Sequence, residues 1–199
     1  MRFMLAIVVL LLLGAGAYVM VAVRTVSHDP DVWHVDPLTV PPSETPNSYR
    51  VAPSEFTEFT VAREAPIYDA DAQTLAQAFD AFVMAQPRVE RVAGVVEEGW
   101  MTYVQRTEML SMPDYISVRF YDLEQPAPAE DPAPEASAPA EDAAGDAPVG
   151  TQDAVSQTAA GAPGATIAIY SRSRFGYGDM GVNEARVNAW LGALQSFER

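Results

Sequence analysis

Tyr115-Ile116-Ser117-Val118-Arg119-Phe120-Tyr121-Asp122-Leu123 alternates apolar and polar side chains. Successive side chains of a strand point to opposite faces, so Ile116, Val118 and Phe120 share one face and Ser117, Arg119 and Tyr121 the other. The stretch reads as a strand with one buried face, and its neighbours fall into place around it. Upstream, Val89 to Val96 and Trp100 to Leu110 read as strands joined through Glu97-Glu98-Gly99. Downstream, Thr166 to Ser171 sets Ile167 and Ile169 on one face, and Phe56 to Ala62 is a candidate edge. Asp71 to Ala85 has Leu75, Phe79 and Phe82 at helical spacing, with Gln73, Gln77 and Asp80 opposite. Asp69 or Asp71 can cap this helix, and Pro87 stops it. A last helix is expected from Glu184 to Phe197, with Val187, Trp190, Leu191 and Leu194 as its buried stripe and Asn183 as its N-cap. The expected fold is α+β: a mainly antiparallel sheet of about four to five strands with two amphipathic helices on one face, preceded by a single transmembrane helix.

The 199 residues predict one domain with something left over, at roughly 150 residues per domain. All 12 basic residues are Arg, against 27 acidic residues, for a net charge of -15. A balance this acidic argues against a nucleic-acid partner, which needs a basic face. The sequence holds no cysteine, which excludes disulfides, thiolate metal sites and a cysteine nucleophile.

Phe3 to Val23 carries no charge and is bracketed by Arg2 and Arg24. As a helix it is about 31 Å long, enough for a hydrocarbon core of about 30 Å. Two readings stand. The segment is a retained anchor in the inner membrane, or it is a signal peptide with an A-x-A site at Ala15-Gly16-Ala17, cut to release the protein to the periplasm. The anchor is preferred, because Tyr18 to Val23 carries the apolar run past that site. Both readings place residues 24 onward outside the cytoplasm.

Residues 24–54 hold six prolines and are expected to form an extended tether. Residues 124–165 hold 14 Ala, 7 Pro, 4 Gly and 8 acidic residues, with no Arg and no aromatic. Such a composition cannot bury enough apolar surface to offset the entropy of ordering, so a disordered insertion is expected. The folded unit is then 55–123 together with 166–199, with the insertion as an overgrown loop.

The most individual stretch is Ser171-Arg172-Ser173-Arg174-Phe175-Gly176-Tyr177-Gly178-Asp179-Met180-Gly181-Val182-Asn183-Glu184-Ala185-Arg186-Val187. It resembles the C-terminal signature of the bacterial domain-of-unknown-function family numbered 1499. Trp33-His34-Val35-Asp36-Pro37 and the apolar segment before it look like the start of those proteins. The resemblance implies a small, anchored, extracytoplasmic domain. It implies no reaction, ligand or catalytic residue.

Gly176-x-Gly178-x-x-Gly181 also matches a dinucleotide fingerprint. A Rossmann unit needs a further parallel strand and an acid about 20 positions on, and the residues after Gly181 offer one helix. No cofactor is expected. Arg172 and Arg174 are two apart and share a strand face with Tyr170, opposite Ile167 and Ile169. Paired with the strand of Arg119 and Tyr121, they form an arginine-rich face near the start of the last helix, where Asn183 and Arg186 lie. These five residues, Arg119, Arg172, Arg174, Asn183 and Arg186, are a candidate site for a carboxylate, phosphate or lipid headgroup. The alternative is structural: Arg172 or Arg174 pairs with Asp179, and Gly176, Gly178 and Gly181 supply turn geometry.

His28, Asp29, Asp31, His34 and Asp36 have the donor chemistry of a metal site, but nothing in a proline-punctuated tether preorganises them, and no metal is expected. No G-x-S-x-G elbow occurs, and Glu97-Glu98 reads as a solvated turn, so no catalytic residue is assigned. Trp33 can dock the tether onto the domain. The sequence thus suggests a noncatalytic, membrane-anchored cell-envelope protein that engages another envelope protein or an anionic ligand. The alternatives are a binding module for a small anion or lipid headgroup, and an enzyme of unidentified reaction.

Overall fold

The structure, a computed structural model, describes residues 1–123 and 164–199. Helix α1, Arg2–Arg24, is long and apolar enough to cross a membrane. A single helical turn, α2 (Pro30–Trp33), follows. The strands are β1 (Ser48–Ala52), β2 (Arg63–Glu64), β3 (Ile67–Tyr68), β4 (Val89–Val95), β5 (Trp100–Arg106), β6 (Pro113–Leu123) and β7 (Gly164–Ser173). Helix α3 is Ala72–Met84, and α4 is Val182–Leu191. The fold is α+β, as the alternation along 115–123 requires. The sheet runs β2-β1-β7-β6-β5-β4, with β3 also pairing β7. All pairings are antiparallel except β1 with β2.

Seven strands replace the expected four to five among the described residues. The additions are short, and two of them come from sequence with little alternation to read. The candidate edge over Phe56 to Ala62 is instead a 3-10 turn at Ser54–Phe56 followed by loop. The strand from Trp100 stops at Arg106, and residues 107–112 turn the chain into β6. The last helix gives way to a 3-10 segment at Gly192. The stretch expected to be disordered, 124–165, lies outside the described residues apart from Gly164 and Ala165, which open β7.

One face of the sheet carries the apolar core. Ile116, Val118, Phe120, Ile167 and Ile169 pack against Leu75, Phe79 and Val83 of α3 and Val187, Trp190 and Leu191 of α4. The Phe79 ring meets Phe120, Trp190 and Tyr103 at centroid distances of 5.7, 6.0 and 6.3 Å. Asp71 caps α3 by accepting from the Thr74 amide at 2.6 Å, which satisfies one of the four orphan N–H groups of the helix start.

The opposite face is not open to solvent. Residues 24–43 of the stretch expected to form an extended tether, 24–54, lie across it as a strap, docked in part by Trp33 as its large ring suggested. Trp33 stacks on Tyr115 at 3.7 Å and His34 on Trp100 at 4.1 Å. Proline-rich backbone has few internal hydrogen bonds and leaves its carbonyls free to accept. Here the sheet supplies the donors. Arg172 donates to the Val32 carbonyl, Arg174 to Ser27, Ser117 to Trp33, Trp100 to Val35 and Arg50 to Val40. The prolines that argued for a detached tether therefore make it an acceptor strip for an arginine-rich face. Residues 48–52 then join the sheet as β1.

Trp33→Ala removes the Tyr115 stack and two arginine contacts to the ring. Since the ring is only partly buried, this should destabilise the chain by about 2 kcal/mol, measured by denaturant unfolding of the full-length protein in micelles.

Candidate functional site

The five candidate anion-binding residues divide into two groups, because the sheet stands between them. Arg119, Arg172 and Arg174 do share the strap-side face with Tyr121 and Tyr170. Arg119 binds the Asp36 carboxylate at 2.5 Å and stacks over Trp100 and Tyr121. Arg172 lies over Trp33 at 4.7 Å and Arg174 at 5.4 Å. Burial lowers the Arg172 pKa, opposed by the nearby Tyr170 and Tyr115 hydroxyls. The anion that this face holds is the chain's own Asp36, and the remaining guanidiniums are taken by strap carbonyls.

Asn183 and Arg186 lie on the other side, under α4. Arg186 is buried and donates to Asp114 at 2.6 Å, Gln105 at 2.6 Å, Asn183 at 2.7 Å and Ser171 at 3.2 Å. Asn183 is not the N-cap. It sits inside the first turn and donates to the Asn47 carbonyl at 2.9 Å. Asp179 takes the capping role, accepting from the Gly181 and Asn183 amides at 3.2 and 2.8 Å. Neither Arg172 nor Arg174 pairs with it. Gly176 and Gly181 have φ of +94° and +80°, in the left-handed region that side chains disfavour, so the turn does require glycine there. Gly178 has no such requirement: an added Cβ would make only ordinary contact with the Pro46 carbonyl, at 3.8 Å.

Both histidines serve the strap. His28 bridges Tyr115 at 2.7 Å and Arg106 at 3.0 Å, and His34 binds Thr102 at 2.9 Å. Arg106 can only donate, so the facing His28 Nε2 accepts and Nδ1 carries the proton. Burial lowers the pKa of both rings; Arg106 and Arg174 lower that of His28 further against Glu90, and Glu98 opposes the shift at His34.

A different region has the open surface. The β5–β6 turn (107–112) and the β7–α4 turn (174–181) project from one end of the sheet. Met109 is 85% exposed, Met180 99% and Tyr177 76%, and Leu110, Phe175 and Val182 are also exposed. Between the two turns is a cleft of about 430 Å³ whose walls include Leu110, Met112, Phe175 and Val182. This end also meets α1. Leu110 and Met112 line a second groove, about 350 Å³, with Ala15, Gly16, Val19, Met20 and Val23. Arg106 donates to both Ser111 and Val23 carbonyls, at 3.1 and 3.4 Å, tying the turn to the end of α1. Sequence reasoning missed this region because Met109 and Leu110 were read as the end of a strand. The signal was an apolar Met-Leu-Ser-Met run at a chain reversal, where polar residues are usual.

Two outcomes follow from this geometry. Arg186→Met should cost about 3–5 kcal/mol in unfolding free energy by stranding the buried Asp114, and adding Asp114→Leu should recover part of that loss. On acidification, a histidine with a lowered folded-state pKa binds its proton more readily once unfolded. The stability from His28 and His34 is present above their ordinary value of 6.5 and lost as pH falls through the lowered folded-state values. Melting temperature should drop over that range, and less steeply in His28→Asn/His34→Asn.

The family described as Protein of unknown function (DUF1499) matches residues 145–194, which take in β7, the glycine turn and α4. The match does not reach Trp33–Pro37, and it begins within the stretch read as an insertion. No curated protein and no solved structure matches. In its C-terminal quarter, built around the Arg186 network, the chain resembles the family of proteins of unknown function DUF1499.

Proposed function

We propose that this chain is a noncatalytic, single-pass inner-membrane protein whose extracytoplasmic domain works seated on the bilayer, engaging partners at the lipid surface. The observation that carries this reading is the apolar groove that Leu110 and Met112 form with Ala15, Gly16, Val19, Met20 and Val23 of α1. At 1.5 Å per residue, Ala15 lies about 12 Å below Val23 along the helix axis. With α1 spanning, the 107–112 turn sits at the depth of the lipid interface, and the exposed Met109 and Met180 meet apolar surroundings. Amphipathic surface held at such a boundary gains by burial in proportion to its apolar area. Retention of α1 is favoured over cleavage near Ala17, since a cut there would remove Ala15 and Gly16 from the wall of that groove. Both histidines hold the strap, which favours an interaction role over an enzymatic one. The anion-binding alternative has one observation in its favour, the carboxylate of Asp36 already on Arg119. An external anion would have to displace it.

The absence of cysteine makes the test direct. Single nitroxide labels at Met109→Cys, Met180→Cys and Glu97→Cys are placed in full-length protein in phosphatidylcholine/phosphatidylglycerol vesicles. Power saturation should report both methionine positions as more accessible to oxygen than to a water-soluble nickel chelate. Glu97, at the β4–β5 turn on the opposite end, should show the reverse. An aqueous signature at both methionine positions overturns the seating.

A further inference from the structure

We infer that the cleft between the β5–β6 and β7–α4 turns binds one acyl chain of a membrane lipid whose headgroup carries an ammonium. The inference rests on the seating proposed above and goes beyond it, since a seated domain need not take up lipid. Three observations support it. First, the cleft continues into the groove on α1: Leu110 and Met112 line both, so a chain lying along α1 has an unbroken apolar path inward. Second, the walls are flexible or aromatic apolar side chains, Leu110, Met112, Phe175, Met180 and Val182, which adapt to a chain without fixed shape. Third, the charged groups that line the cleft are all acidic, beside the neutral hydroxyls of Thr107 and Ser173. No basic residue lines the cleft, while Glu108 and Asp179 do. Asp179 already accepts from two backbone amides, and the buried Asp114 is matched by Arg186, which leaves Glu108 as the carboxylate placed to meet an ammonium. An anionic headgroup would face repulsion at the same place. The nearby arginines are already engaged, Arg174 with Ser27 and Tyr115, Arg186 in the core, and Arg106 with the Ser111 and Val23 carbonyls and His28.

The experiment uses full-length protein in vesicles of phosphatidylcholine doped with a phosphatidylethanolamine that carries a diazirine on its acyl chain. After illumination, labelled positions are mapped by peptide mass spectrometry. Label is expected on α1 and, within the domain, on Met112 and Val182. Val182→Trp fills the cleft at a half-exposed position and should reduce the Met112 label about tenfold while leaving label on α1 unchanged. Should Val182→Trp not fold, Val182→Glu serves the same purpose, and the wild-type map decides on its own. Label on α1 and on the exposed rim methionines Met109 and Met180, with none on the inner-wall residues Met112 or Val182, overturns the cleft and leaves the seating intact. Label confined to α1 overturns both. Domain label unchanged when Val182 is replaced by a folded variant also overturns the cleft. A phosphatidylglycerol diazirine probe that labels Met112 and Val182 as strongly as the ethanolamine lipid overturns the headgroup assignment.

Discussion

A guanidinium shut inside a protein has to be neutralised where it stands, and the position of Arg186 decides how the two halves of this domain meet. Its donors reach Gln105 on β5, Asp114 on β6, Ser171 on β7 and Asn183 on its own helix. Asn183 passes the connection to the Asn47 carbonyl just before β1. A buried charge pair contributes less to stability than an apolar pair of the same size can, yet it tolerates only one arrangement of its partners. The network therefore acts as a register pin. The central strands, the start of β1 and the first turn of α4 have to arrive together or leave a charge stranded. The Asn-x-x-Arg spacing, the glycines before it and Asp179 make sense as parts of that pin.

The sheet is buried on both sides by different chemistry. On one side, helices cover Ile, Val and Phe in a dry core. On the other, a strand face of Tyr, Trp, Ser, Thr and Arg is covered by extended backbone that supplies carbonyls, one carboxylate and two imidazoles. Arg50 marks the junction. It is 4% exposed and lies between the rings of Phe59 and Tyr170, at 4.9 and 4.8 Å from their centroids. Such a face needs a cover rich in acceptors, and a proline-rich segment has them in surplus.

What could be read from the sequence follows from range. Period-two alternation at 115–123 and the apolar spacing of Leu75, Phe79 and Phe82 are local signals, and they located the principal strands and α3 to within a few residues. The shared face of Arg119, Arg172 and Arg174 was legible as well, because it needs only alternation and one strand pairing. The pairing of Arg186 with Asp114 joins residues 72 positions apart and leaves no periodic trace. The strap was misread for a similar reason. Proline density reports that a segment forms neither helix nor sheet interior, and is silent on whether something else will hold it. Asn183 failed as a cap because the helix already begins at Val182, where Asp179 accepts from the Gly181 and Asn183 amides.

The docking of the strap also changes the geometry available to the domain above the membrane. Thirty-one free residues could extend roughly 100 Å. Instead, Arg106 holds the Val23 carbonyl and Arg174 the Ser27 carbonyl, so the span between the end of α1 and the docked strap is at most three residues, about 10 Å at full stretch. With α1 in a bilayer, as proposed, a head on so short a leash would not turn over, and its local concentration at the surface would be set by the leash and not by affinity.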